Sequence, residues 1–125
     1  MAKYEHLPIF KAMLTLAVEV EKAVRYFPRY HKYTLGSELR GFCHDGLGLI
    51  AEANSIANRG HILMRLRFVM ERLKIHLMLA KEVQAFNRAR TFYRIMEMTV
   101  AVSRQNEGWL RSAAQRSPSR KKGGP

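Results

Sequence analysis

Three adjacent residues, Cys43, His44 and Asp45, carry side chains that can act as a nucleophile, a base and an acid. They could catalyse a nucleophilic reaction only if they formed a hydrogen-bonded relay. Consecutive side chains of a helix point about 100° apart and cannot form such a relay with one another. We therefore predict that Cys43 is a core residue and that the protein is not an enzyme.

Metal ligands are the second kind of chemistry to consider. The single cysteine excludes a multi-cysteine zinc site and an intramolecular disulfide. The remaining histidines, His6, His31, His61 and His76, are scattered, and no Asp or Glu is followed three residues later by His, as di-iron helical bundles require. We predict no metal and no cofactor.

The charge of the chain is strongly unbalanced. Twenty-two Lys and Arg against ten Asp and Glu give a net charge of +12. Such an excess repels itself unless an anionic partner neutralises it. Arginines outnumber lysines fourteen to eight, and the planar guanidinium suits phosphates and bases. The composition predicts binding of RNA or DNA through electrostatics, with little sequence specificity.

The chain contains no apolar run approaching the roughly 18 residues of a membrane span, and its N-terminus lacks the apolar region of a signal peptide. One free cysteine is compatible with a reducing compartment. These features predict a cytoplasmic protein without a membrane partner.

Apolar residues recur three and four positions apart along most of the chain, the spacing that places side chains on one face of a helix. The predicted helices cover residues 8–27, 35–57, 61–86 and 89–114. Four helices with short links predict an all-α fold, an antiparallel four-helix bundle made by residues 1–114. Residues 115–125 have little to bury, and we predict a disordered basic tail there.

The third predicted helix is apolar on two opposite sides. One line, on Leu63, Leu66, Met70, Leu73, Leu77 and Ala80, suits the core of the bundle. The other line is formed by Met64, Phe68, Ile75 and Leu79. One packed face cannot bury both lines, so the second predicts a contact with another copy of the chain. We expect a homo-oligomer with these four residues at its interface.

Smaller signals concern the second and fourth helices. Thr34 is predicted to cap the second helix, and at least one of Gly41, Gly46 and Gly48 to allow a close approach of two helices. On the fourth helix, Thr99 and Asn106 interrupt an apolar line and could specify its pairing.

The third and fourth helices carry many cations and few acids. Any one exposed cation is ordinary, but the imbalance is not, and repetition around an oligomer would multiply the phosphate contacts. The predicted nucleic-acid-binding residues are Arg65, Arg67, Arg72, Lys74, Lys81, Arg88, Arg90, Arg94, Arg104 and Arg111.

Three segments carry a family resemblance: LPIF at residues 7–10, FPRYHKYTLGSELR at residues 27–40 and EGWLRS at residues 107–112. With them the chain resembles the accessory variability determinant proteins of diversity-generating retroelements, which are similar to the four-helix proteins encoded in ribosomal RNA intervening sequences. The likeness covers about residues 4–114, and its most specific part is the connector at 27–40.

The resemblance implies a basic four-helix protomer in a barrel-like homopentamer. It also implies association with the retroelement reverse transcriptase and its template RNA, so that the protein would assist mutagenic retrohoming without polymerase chemistry. No binding residue is carried over, because the shared segments lie at helix boundaries and connectors. The alternative is a structural or protein-docking bundle of the intervening-sequence type with no retroelement role.

Overall fold

A computed structural model describes the backbone of residues 3–123 and the side chains of residues 3–114, and within that part the regular structure is entirely helical. A 3₁₀ turn, Lys3–His6, precedes α1 (Pro8–Arg25), α2 (Arg29–Lys32), α3 (Leu35–Asn54), α4 (Gly60–Glu82) and α5 (Ala89–Gly123). In the described residues, no helix offers a stretch long and apolar enough to cross a lipid bilayer. The side chains of the predicted tail, residues 115–125, lie outside the described part, and its disorder stays a prediction.

The four long helices α1, α3, α4 and α5 confirm the predicted all-α class, and three of them end earlier than predicted. The helix predicted for residues 8–27 ends at Arg25. The helix predicted for residues 35–57 ends at Asn54, where the Ser55 hydroxyl donates to the Glu52 carbonyl oxygen at 2.8 Å. A serine that bonds locally to the backbone competes with helix continuation.

The helix predicted for residues 61–86 ends at Glu82 because the chain turns at Gln84, which has φ 60°. The Gln84 and Ala85 amides then donate to the carbonyl oxygens of Lys81 and Ala80, at 3.0 and 2.9 Å. This is a Schellman ending, made here without the usual glycine. It directs the chain back toward the core, where Ala85 is fully buried.

The connector between the first two long helices contains the one-turn helix α2, which periodicity did not predict. The predicted capping role of Thr34 is wrong: its hydroxyl donates backward to the Tyr30 carbonyl oxygen at 3.2 Å, and α3 has no side-chain cap at this end. A threonine hydroxyl can bond a carbonyl one turn earlier, and here that bond belongs to the α2 turn.

One core holds the long helices together. Within the described residues, α1 packs on α3 and α5, and α4 packs on the same two helices, so that α1 and α4 occupy diagonal positions. The six predicted core residues of α4 are at most 1% exposed. Met13 and Met70 fill the interior as predicted from their positions on the apolar lines.

Two polar side chains of α5, Thr99 and Asn106, are buried, and each donates one hydrogen bond, whereas the Asn106 Oδ1 atom has no partner among the described residues. Thr99 donates to the Ile95 carbonyl oxygen of its own helix at 2.8 Å, whereas the Asn106 amide donates to the Leu63 carbonyl oxygen of α4 at 3.0 Å. A buried amide needs such a partner, because leaving it unpaired costs about 1–3 kcal/mol. Asn106 therefore favours one alignment of α5 along α4.

Two glycines lie where helices approach closely. A Cβ atom added at Gly46 would lie 3.0 Å from the Met13 sulfur, which confirms the prediction for one of the three glycines. A Cβ atom at Gly36 would lie 2.7 Å from Cγ1 of Val24. Gly41 has open space instead. The absence of a side chain thus sets the distance between α1 and α3.

We expect Gly36→Ala to destabilise the protein by about 1–3 kcal/mol, because the branched Val24 side chain cannot move away without disturbing the core. The matched change Gly41→Ala should stabilise it by about 0.5–1 kcal/mol through helix propensity alone. Urea unfolding of the two variants and the wild type measures both effects. Equal effects at the two positions would contradict the close approach.

Candidate nucleic-acid interface

The ten predicted cations all reach the surface, and none is buried. Four of them lie within 4 Å of a carboxylate: Arg67, Lys74, Lys81 and Arg94. The other six have no ion pair with any described residue: Arg65, Arg72, Arg88, Arg90, Arg104 and Arg111. Because an ion-paired arginine must give up its partner to bind phosphate, the unpaired six are better placed for that role.

Arg67 makes the best-formed ion pair of the predicted set. Its guanidinium donates to both carboxylate oxygens of Glu107, with Nε at 2.8 Å and Nη2 at 2.6 Å. These hydrogen bonds are the main cause that lowers the pKa of Glu107 below its ordinary 4.5 and raises that of Arg67. The pair joins α4 to α5 and leaves less of the Arg67 charge for an outside partner.

The other paired cations have weaker or shared contacts. Arg94 reaches Glu19 of α1 at 2.8 Å, and Lys74 reaches Glu71 one turn earlier at 2.9 Å. Lys81 lies 3.7 Å from Glu82, and its Nζ is 5.7 Å from the centre of the Tyr93 ring. Exposed pairs of this kind add little to stability, so these charges remain open to exchange.

The cations of α5 form the most continuous basic surface. Arg90, Arg104 and Arg111 are exposed and lie within about 60° of one another around the helix, opposite its buried line. Glu97 is the one acid between them on this face. We call this face, residues 90, 104 and 111, the α5 stripe. Its three cations are spaced by 14 and 7 residues, and they can contact separate phosphates along a strand.

The predicted cations of α4 do not form one patch with the α5 stripe. Arg72 lies over the Phe42 ring of α3, 5.7 Å from its centre, and Arg65 lines a groove between α3 and α4. Arg67 and Lys74 instead line a groove between α4 and α5, which Arg104 also lines. The outer apolar line of α4 separates the two groups.

The predicted interface residues all lie on the outer side of α4. Met64, Phe68, Ile75 and Leu79 are exposed by 37%, 63%, 54% and 49%. Two more exposed apolar side chains, Leu14 and Val18, lie on α1, and the sequence analysis did not predict them as interface residues. The monomer therefore leaves apolar surface on two helices that occupy diagonal positions.

Sequence reasoning also missed a group of cations near the short α2. Lys22, Arg25, Arg29 and Lys32 are at the surface, and only Lys22 has a carboxylate within 4 Å among the described residues, Glu19 at 3.7 Å. The signal was present in the basic aromatic sequence RYHKY at residues 29–33. The prediction treated that run only as a connector.

The residues around Cys43 do not converge on a reactive centre. Cys43 is buried, and loss of solvation raises the pKa of its thiol to about 12, with a smaller contribution from Glu21. His44 is exposed, with Nε2 at 3.4 Å from the Glu21 carboxylate, which also accepts a 2.8 Å hydrogen bond from Arg40. The described residues contain no group of three or more His, Cys, Asp or Glu arranged to hold a metal ion.

No protein-family model matches the chain, and no curated protein matches it.

The Glu107–Arg67 pair predicts a pH-dependent contribution to stability. A carboxylate whose pKa is lowered by folding stabilises the folded state above its unfolded pKa, near 4.5, and this contribution is lost as the pH falls through the folded pKa. We expect the melting temperature of Glu107→Gln to lie below that of the wild type at neutral pH and to approach it at acidic pH.

Glu97→Gln is the matched control, because Glu97 has no cation within 4 Å among the residues described. Its melting temperature should follow the wild type at every pH. A difference between Glu107→Gln and the wild type that does not depend on pH would contradict the role of the ion pair.

Proposed function

We propose that this protein is a non-catalytic accessory subunit of a diversity-generating retroelement. In that role it is an antiparallel four-helix bundle that assembles into a homopentamer in the cytoplasm and binds reverse transcriptase together with template RNA or cDNA during mutagenic retrohoming. The retroelement, the polymerase partner and the number five rest on the resemblance at residues 7–10, 27–40 and 107–112. Nucleic-acid binding and self-assembly have support in the surface.

The observation that carries the proposal is the number of surface cations without a carboxylate partner. Six of the ten predicted cations have none among the described residues, and the α5 stripe aligns three of these six on one face. The chain carries a net charge of +12. Binding of phosphates lowers the free energy because it neutralises the repulsion between these cations and releases the counterions of the nucleic acid.

The antiparallel arrangement has support in the contacts between α4 and α5. Leu63, near the beginning of α4, bonds to Asn106, while Lys81, near its end, lies 5.6 Å from the ring centre of Phe92 at the beginning of α5. Opposite chain directions bring such residues together. A bundle of this type presents its charged outer faces around a single core.

Self-assembly has support in the two exposed apolar surfaces, on α4 and on α1. A two-fold dimer uses the same surface on both copies, so one exposed apolar face per chain would be enough to form it. Two different faces at diagonal positions fit a head-to-tail contact, α4 of one copy against α1 of the next. Contacts of that type close into rings.

The α5 stripe predicts the salt dependence of RNA binding. We expect the logarithm of the affinity to fall linearly with the logarithm of salt concentration, by about 0.7 per phosphate contact on a single strand. Arg104→Gln and Arg111→Gln should each make this slope shallower by about one contact. Fluorescence anisotropy of a labelled RNA over a salt series measures it.

Arg40→Gln is the control, because it removes the same charge from a guanidinium already bonded to Glu21 and should leave the slope nearly unchanged. Binding that ignores salt would overturn the proposed mode of recognition. An oligomer that binds neither RNA nor a co-expressed reverse transcriptase would favour the structural bundle of the intervening-sequence type instead.

The head-to-tail contact makes a separate prediction. Phe68→Asp and Val18→Asp each place a charge in one of the two faces, and each should convert the oligomer to a monomer of 14.5 kDa. Each variant keeps the face that the other has lost, so that an equimolar mixture should form a heterodimer of twice that mass. Size-exclusion chromatography with light scattering measures both results.

Ala101→Asp adds the same charge to an exposed position of α5 and should leave the oligomer intact. If Val18→Asp stays oligomeric while Phe68→Asp does not, the contact joins α4 to α4. A monomeric wild type would refute the interface.

A further inference from the structure

Exposed tyrosines gather at one end of the molecule. Four of the five tyrosines are exposed, Tyr26 by 64%, Tyr30 by 83%, Tyr33 by 70% and Tyr93 by 59%. They belong to the end of α1, to α2 and the turn after it, and to the beginning of α5. These four rings are not part of the core, where burial of an aromatic side chain would stabilise the folded protein most.

Buried aromatic rings bring these segments together. The Phe27 ring lies 5.2 Å from Phe86, Phe86 lies 5.8 Å from Phe92, and Phe92 lies 4.9 Å from Tyr93, as measured between ring centres. The end of α1, the link before α5 and the first turn of α5 are thereby fixed in relation to one another. We call residues 22–34 and 81–94 the connector end.

A groove of about 470 Å³ lies at the connector end, between α1 and α5. Tyr26 and Lys22 form its α1 side, Arg88 and Arg94 its α5 side, and Phe86 and Asn87 contribute from the link. The groove therefore combines aromatic rings, cations and an amide that can donate and accept hydrogen bonds. Its volume lies within the usual range of ligand sites.

Cations dominate this end of the molecule. The two segments contain eight Lys and Arg and a single acid, Glu82. Glu19, one turn before, also lines the groove but is contacted by both Arg94 and Lys22, at 2.8 and 3.7 Å. Arg88 has no ion pair with any described residue. The groove thus keeps uncompensated positive charge.

The beginning of α5 adds to that charge. Helices usually have acidic residues in the first turn, where the free backbone amides form the positive end of the dipole. The first turn of α5 has no acid; Arg90 lies in it, and Arg88 directly precedes the helix. An anion bound at this position would compensate both the amides and the guanidinium groups.

We propose that the groove at the connector end binds unpaired nucleotides, with a base stacked on Tyr26 and the adjoining phosphates held by Arg88, Arg94 and Lys22. This inference rests on the proposed nucleic-acid binding and gives it a location and a strand preference. The α5 stripe contacts phosphates of any strand, whereas the groove selects strands whose bases are free.

The combination of ring and charge favours single strands over duplexes. Stacking on an exposed tyrosine requires the face of a base, and a duplex keeps those faces inside its own stack. A cationic rim alone would not favour the single strand, because a duplex carries the denser phosphate charge. A peptide partner would need acidic side chains to pair with the cations of the rim. Tyr26 would then contribute a hydrogen bond from its hydroxyl or apolar contacts, and not stacking on a base.

The test compares a labelled single-stranded oligouridine, a single-stranded oligothymidine and a duplex of the same length, with the full chain and by fluorescence anisotropy at fixed salt. Tyr26→Leu should weaken binding of the single strands by about 5- to 100-fold and leave the duplex unchanged. Tyr26→Phe should retain wild-type affinity, because the ring is kept. Tyr33→Leu, at the same end but outside the groove, is the matched control.

Each outcome bears on one of the two proposals. If the wild type binds no probe, the proposed nucleic-acid function itself fails. If it binds all probes and Tyr26→Leu changes none of them, or weakens the duplex as much as the single strands, the groove proposal is overturned while electrostatic binding stands. A loss for uridine alone or thymidine alone supports the groove and shows which strand it accepts. Circular dichroism confirms that Tyr26→Leu is folded.

Discussion

The packing of α4 against both α3 and α5 is the interaction on which the rest of the fold depends. The inner line of α4 is buried almost completely along its length, and the Asn106 amide secures α5 to it at Leu63. Because that line occupies one side only, the outer apolar residues of α4 stay exposed among the described residues. The proposed contact with a second copy thus has the same origin as the core.

The ion-paired and the unpaired charges occupy different parts of the surface. Ion pairs such as Arg67–Glu107 and Arg94–Glu19 lie between neighbouring helices. The unpaired cations lie on outer faces and at the connector end. Glu19, Glu21 and Glu107 pair between helices, and cations outnumber acids over the chain, so the excess charge at the surface is positive.

The sequence predicted the helices well because their buried lines repeat with the helical period, and the α4 line from Leu63 to Ala80 lies where the pattern placed it. It did not predict the helix ends that depend on the backbone conformation of a single residue. Gln84, for example, adopts the left-handed conformation, for which glutamine has no strong preference. The close approach at Gly36 was missed because it depends on where Val24 of another helix lies.

The candidate site could be predicted less completely than the fold. The identity of the cations is visible in the sequence, but Arg65 and Arg67, two positions apart, face different neighbouring helices. The groove at the connector end joins residues some sixty positions apart, such as Tyr26 and Arg88. No local pattern indicates that they meet, because the contact results from the aromatic packing of Phe27 and Phe86.

The position of that groove has a consequence for the order of folding. The pairs α3 with α4 and α4 with α5 join neighbours along the chain, whereas α1 with α5 closes the longest loop. Loop-closure entropy makes contacts between distant segments the slowest to gain. The groove therefore exists only when α1 and α5 are packed together, whereas the α5 stripe belongs to one helix and needs no such contact.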